Sequence, residues 1–260
     1  MCEKPVLLEK KDNIATITMN RPQTLNSLQP VLIDELVNAL ISVQNDDSVK
    51  VAVLTGAGRA FCAGGDLTHI ETIDNPVLGR DYILKAAKIV STIVNMEKPV
   101  IAMVNGVAAG AGFNIALACD IIFCAKSARF GQSFAKIGLI PDCGGTYFLP
   151  RVVGLHKTKE LMFTGDLIDA DTALKLGIVN QVIDDAELKE TTYEFAEKLA
   201  NGAPIALALI KKALNQSFNL NLEGALELEA SLQCNCLQTQ DKKEGIKAFK
   251  EKRAPVFKGI

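Results

Sequence analysis

The chain has 260 residues, 48% of them hydrophobic and 22% charged, with a formal net charge of -2 at pH 7. This is ordinary globular composition with apolar mass for one large core or two modest ones, and so small a charge bias excludes the basic surface of a nucleic-acid-binding protein. The opening MCEKPVLLEKKDN has no continuous apolar signal region and no run of ~18 apolar residues follows, so a cytoplasmic location with no membrane partner is expected.

In chain order, residues 14–19 (IATITM) alternate as a strand and residues 30–43 space their apolar side chains as a helix. Residues 49–54 form a second apolar strand that runs into the glycine-rich TGAGRAFCAGGD of residues 55–66. A helix over residues 77–96 leads to residues 98–120, KPVIAMVNGVAAGAGFNIALACD, which change character halfway. Val100 to Val104 suit a strand covered on both faces, residues 107–112 carry almost no side chain, and residues 113–119 resume with helical composition. A nearly bare turn between strand and helix lets a ligand approach main-chain N–H groups that have no partner inside the helix. The same small residues also suit tight strand–helix packing.

Another short strand begins at residues 120–124. Residues 129–151, RFGQSFAKIGLIPDCGGTYFLPR, are rich enough in glycine and proline to be a shaped loop system around short helices. Helical patterns over 157–163 and 169–176, a strand over 178–183 and a helix over 186–199 complete the first part. Gly202-Ala203-Pro204 reads as a boundary, because proline suits a helix start, and everything beyond it reads as helix. Lys211-Lys212 and the charges over 242–253 read as solvated helix faces.

The alternation of strands and helices favours a parallel α/β arrangement with binding loops at strand ends. Neither glycine loop matches GxGxxG, and a lysine-bearing P-loop and a GxSxG turn are missing. The seven cysteines (Cys2, Cys62, Cys119, Cys124, Cys143, Cys234 and Cys236) form no CxxC pair and no zinc-type cluster, so reduced thiols and no metal are expected.

Two glycine loops, each after an apolar strand, bring a family into view. The chain resembles the crotonase (enoyl-CoA hydratase/isomerase) superfamily in NRPQTLNSL, RAFCAGGDL, KPVIAMVNGVAAGAGFNIALACDI, ARFGQSFAKIGLIPDCGGTYFLPR, TGDLIDADTALKLGIVNQV and EGIKAFKEKRAPVF. The resemblance implies an α/β spiral of repeated ββα units over residues 1–202 and a helical oligomerisation region over 203–260, assembled as a homotrimer or homohexamer. It also implies an acyl-CoA thioester as substrate, with coenzyme A part of that substrate and no separate cofactor.

By matching motifs, the resemblance assigns the main-chain N–H groups of Gly65 and Ala111 to the thioester carbonyl, where deprotonation next to that carbonyl would place negative charge. Ala63, Gly64, Gly65, Asp66, Leu67, Gly110, Ala111, Phe134 and Pro141 form the implied binding set, with Asp66 bracing its own loop. The positions at which hydratases carry two glutamates hold Asn114 and Phe134, which removes the acid–base pair that hydration needs. An aspartate after the LIP segment, here Asp142, is shared with isomerases of the ring-1,2-epoxyphenylacetyl-CoA type and with dehalogenases, and is the expected catalytic base; its other reading is a cap on the helix begun at Gly144-Gly145. His69, Tyr82 and Tyr147 are candidates for the pocket wall, and His156 and Glu71 for the surface. The favoured activity is an acyl-CoA isomerase. The alternatives are a hydratase, a hydrolase or dehalogenase with Asp142 as nucleophile, and a non-catalytic CoA-ester binder.

Overall fold

The computed structural model describes residues 4–260, so Cys2 lies outside the described residues. β1 (Val6–Lys11) and β2 (Ile14–Met19) form an antiparallel hairpin. Its two turn residues, Asp12 and Asn13, take left-handed φ values of 51° and 64°, the conformation that matches strand twist in a two-residue hairpin and that Asp and Asn tolerate best. α1 (Pro30–Gln44) follows, opened by a proline that needs no N–H there.

The chain then repeats one pattern. β3 (Val51–Gly56), β4 (Ala60–Cys62), the short α2 (Leu67–Ile70) and α3 (Pro76–Asn95) make one turn; β5 (Val100–Val104), β6 (Val107–Ala109) and α4 (Ala111–Ala118) make the next; β7 (Ile121–Ala125), β8 (Arg129–Gly131) and α5 (Gly145–Thr164) make a third. The first strand of each turn joins a six-stranded sheet, β1-β2-β3-β5-β7-β10, and the second joins a four-stranded sheet, β4-β6-β8-β9. Here β9 is Leu167–Asp169 and β10 is Gln181–Ile183, separated by α6 (Ala170–Lys175) and followed by α7 (Leu188–Ala200). Pairing is parallel except for β1 with β2 and β8 with β9. This is the spiral of ββα units that the resemblance implied.

The large sheet is covered on both faces, which is why its strands read as unbroken apolar runs. Along β5, Val100, Ala102 and Val104 enter the main core, whereas Ile101 and Met103 pack in a second core with Val51, Val53 and the α7 residues Ala196 and Ala200. A one-residue slip in register would exchange the two sets.

Several elements differ from the sequence reading. The bare turn at 107–109 is strand β6, and AFC, RFG and LID are strands as well; three residues are too few to show a period. The helix read over 157–163 is the second half of α5, which starts at Gly145 and is broken at Gly154 (φ 75°, ψ 165°). The strand read over 178–183 is only Gln181–Ile183.

Beyond residue 203 the chain forms α8 (Pro204–Ser217), α9 (Leu222–Gln238) and α10 (Gln240–Glu251). Lys211 does not lie on a solvated face. It is 9% exposed, its Nζ donates to Asp120 Oδ2 at 2.8 Å and to the Ile93 carbonyl at 2.8 Å, and it reaches the Lys98 carbonyl at 3.3 Å. Burial raises the Asp120 pKa, against the opposing pull of Lys211 and the Val100 N–H. This cluster ties α8 to the end of α3 and the start of β5. Farther on, Arg253 pairs with Glu244 and Glu251, while the Asp241 carboxylate accepts from the Lys258 and Gly259 N–H groups.

Candidate active site

The two glycine loops leave adjacent strands of the small sheet, β4 and β6, and converge. Gly64 has φ 100° and Gly110 has φ 52°, values that a side chain strongly disfavours. A Cβ built on Gly64 would lie 3.4 Å from the Ala111 nitrogen, and one built on Gly110 would lie 3.8 Å from Gly64 Cα. Bare backbone is therefore what allows the loops to meet. Ala111 is the first residue of α4, so its N–H has no partner within the helix, and Gly65 N–H makes no hydrogen bond among the described residues. Gly65 and Ala111, each with an unspent main-chain donor, both line one cavity of about 390 Å³.

Asp142 supplies the carboxylate in the lining of that cavity. Cys143 and Gly144 after it both take left-handed φ, 45° and 77°, and reverse the chain so that α5 can begin at Gly145. The cap role considered for Asp142 belongs to main-chain atoms: its carbonyl accepts from the Gly145 N–H at 2.9 Å, and no side chain caps α5. Asp142 Oδ1 is shielded from solvent and has no hydrogen-bond partner among the described residues. Burial raises the Asp142 pKa above the usual carboxylate value, and the hydrogen bond from the Cys143 thiol offsets only part of that. Such a carboxylate is a stronger base than a free aspartate, and its Oδ1 carries lone pairs that no neighbour among the described residues occupies.

The remaining wall is mostly apolar. Ala63, Gly64, Gly65, Leu67, Gly110, Ala111 and Phe134 of the expected set line the cavity together with Asp142. Asp66 and Pro141 fall outside this lining. Asp66 turns back into its own loop: it accepts from the His69 N–H at the start of α2, from Ser27 Oγ at 3.1 Å and from Arg21 at 3.4 Å. Burial opposes its ionisation, but the hydrogen bonds from Gln29, Ser27, His69 and Arg21 outweigh this and hold its pKa below the ordinary value. Tyr82 lines the cavity and donates to the Leu28 carbonyl at 2.8 Å; burial and the nearby Asp142 carboxylate both push its phenol pKa up. His69 stands behind it, ring centroids 4.9 Å apart, outside the lining. Tyr147 lies elsewhere, under the Arg151 guanidinium at 3.6 Å, and His156 and Glu71 are exposed.

Of the α3 side of the wall, sequence reasoning named only Tyr82. Gly79, Tyr82, Ile83 and Ala86 line the cavity at helical spacing, a signal that was present but indistinguishable from an ordinary core face. Ile70, Ile73, Ile137 and Leu139 complete the apolar side. Cys62, Cys119, Cys124 and Cys143 are buried, and burial pushes the Cys62 and Cys124 thiols up to about 12, which leaves them inert as nucleophiles.

Known proteins carry the same pattern. The family model described as enoyl-CoA hydratase/isomerase matches residues 9–260. Among curated relatives, the short-chain-enoyl-CoA hydratase of Clostridium acetobutylicum is 39% identical over 249 residues, covering 95% of both chains. The 1,2-epoxyphenylacetyl-CoA isomerase of Escherichia coli is 40% identical over 257 residues, covering 98% of both. Among solved structures, an enoyl-CoA hydratase from Bacillus anthracis superposes with a TM-score of 0.95 at 36% identity, over 98% of this chain and 100% of that one. With the ββα spiral, the two converging glycine loops and these matches along nearly its whole length, the chain belongs to the enoyl-CoA hydratase/isomerase family, the crotonase superfamily.

Proposed function

We propose that the protein is an acyl-CoA isomerase that moves a double bond from the 3-enoyl to the 2-enoyl position, or rearranges a ring epoxide, through a thioester enolate. The observation that carries this reading is the placement of carboxylates. Asp142 is on the cavity, while Asn114 and Phe134 stand where the resemblance puts the two glutamates of hydratases. In this reading Asp142 takes a proton from the carbon next to the thioester carbonyl and returns it to the far carbon. The N–H groups of Gly65 and Ala111 hold the developing oxyanion, each donor of this kind contributing ~2.7–4 kcal/mol. Phe134 and the apolar wall keep water from the conjugated intermediate. The cycle draws on no metal or redox group.

Hydratase activity is the second reading, favoured by the likeness to the Clostridium relative, a short-chain-enoyl-CoA hydratase. Purified protein assayed with 3-hexenoyl-CoA, an epoxyphenylacetyl-CoA and crotonyl-CoA separates the two. Isomerisation is expected, with Asp142→Asn slowing it on the order of a hundredfold or more while thioester binding is retained. Rapid hydration of crotonyl-CoA with neither of the other substrates consumed, or an Asp142→Asn variant that isomerises at the wild-type rate, would remove the isomerase reading.

A further inference from the structure

Asn114 and Gln132 are wholly buried at 0% exposure, and neither lines the cavity. Buried amides are costly unless their hydrogen bonds are made; here Gln132 Oε1 has no partner among the described residues, and the bonds that are made run toward the reacting carboxylate. Asn114 Nδ2 donates to the main-chain carbonyl of Asp142 at 2.8 Å, and Asn114 Oδ1 accepts from Gln132 Nε2 at 2.6 Å. With a donor spent on one side and an acceptor on the other, the Asn114 amide has one orientation. Gly145 packs directly on it: a Cβ there would lie 2.5 Å from Nδ2 and 2.6 Å from Oδ1. Asn114 also follows Ala111 by three residues on α4, so it sits one turn from the helix's first N–H.

We propose that Asn114, its amide locked by Gln132, is a positioning residue that sets Asp142 at a fixed distance from the Ala111 N–H. This rests on the reading of Asp142 as base. The chemistry accounts for the pairing of the two residues. A carboxylate at position 114 has no donor to offer the Asp142 carbonyl, so a hydratase-like glutamate there would remove the anchor that Asp142 uses. Proton transfer from carbon is sensitive to placement, and a displacement of about 1 Å can cost ~100-fold in rate.

The test is a double-mutant cycle on the full chain with 3-hexenoyl-CoA, alongside binding of hexanoyl-CoA, which lacks the double bond to be moved, and thermal unfolding. Asn114→Ala is expected to lower kcat by about 10- to 100-fold with hexanoyl-CoA affinity unchanged, and to add no further loss in an Asp142→Asn background. Gln132→Met, which keeps the volume and removes the donor, is expected to behave the same way and carries the test if Asn114→Ala does not fold. Losses that multiply with that of Asp142→Asn, or wild-type kcat in both variants beside a slow Asp142→Asn, overturn the positioning role alone. A wild-type rate in Asp142→Asn overturns the base reading and this role with it.

Discussion

Asp142 sits half-buried at the cavity with an unpartnered oxygen, and its raised pKa has two consequences of opposite usefulness. In the proposed reaction the ionised form is the competent one, so activity is expected to fall as pH drops through the raised pKa. The acid limb of kcat is therefore expected above pH ~4, the ordinary aspartate value, and a limb at or below it would contradict the buried setting. For stability the sign is reversed. A folded-state pKa above the unfolded value means that the folded chain holds the proton more tightly, so this contribution is fully present below the unfolded pKa and is lost as pH rises through the folded one. Asp142→Asn removes the unfavourable charge. Its Tm at neutral pH is expected to hold or rise, by on the order of 2–4 °C for each kcal/mol recovered, and calorimetry showing a fall would mean that the carboxylate is a structural partner instead.

At the scale of elements, α8 is held to the core through Lys211, Asp120 and two carbonyls at the end of α3 and start of β5. Removing one member of a buried pair strands the other, at a cost of ~3–5 kcal/mol when burial is complete. Asp120 keeps 23% of its side-chain exposure, so Lys211→Met is expected to cost about 2–3 kcal/mol by denaturant unfolding. Lys211→Met/Asp120→Asn is expected to recover part of that, since no uncompensated charge remains and Asn still accepts from the Val100 N–H; equal destabilisation of single and double variants would show that the carbonyl contacts dominate. The residues explain why this cluster was illegible in the sequence. Lys211-Lys212 on a helix look like any solvated pair, and nothing local names an aspartate 91 residues away. Strands β3, β5 and β7 were legible because both of their faces are buried, and the glycine loops because few structural segments are so bare. The small sheet was not, because AFC, VAA, RFG and LID are held by pairing across the spiral rather than by their own pattern. The start of α5 at Gly144-Gly145 was legible, but Pro150 and Gly154 hid its continuity with the helix read over 157–163. Asp142 was found through the motif around it, whereas the Asn114–Gln132 support could be seen only once the chain was folded.

For the molecule as a whole, the C-terminal helices leave apolar side chains outside. Ile210, Leu214 and Phe218 recur along one stripe of α8, with Phe218 just beyond its end, and Leu222 and Leu226 follow on α9; each is more than half exposed. We infer that second and third copies of the chain cover this face, as the family resemblance implies, and that residues 203–260 form the assembly region. Light scattering is expected to give a trimer or hexamer, and a species near the 27.9 kDa of one chain would exclude both. A chain ending before Pro204 is expected to aggregate, because it also loses the α8 anchor on α3.

The cavity draws on two structural layers that answer to different constraints. Its donors and its carboxylate are tied to the small sheet and α4, where a shift in one strand passes to its neighbours through main-chain pairing. Its α3 wall is a run of side chains on a single helix, and a Cβ at Gly79 would meet only Ile73, at 3.4 Å. Tyr82 apart, whose hydroxyl donates to the Leu28 carbonyl, substitutions on that wall can resize the space for an acyl group without entering the paired backbone that holds the chemistry. Selectivity is thereby free to drift along one helix while the reactive geometry stays conserved by the spiral itself.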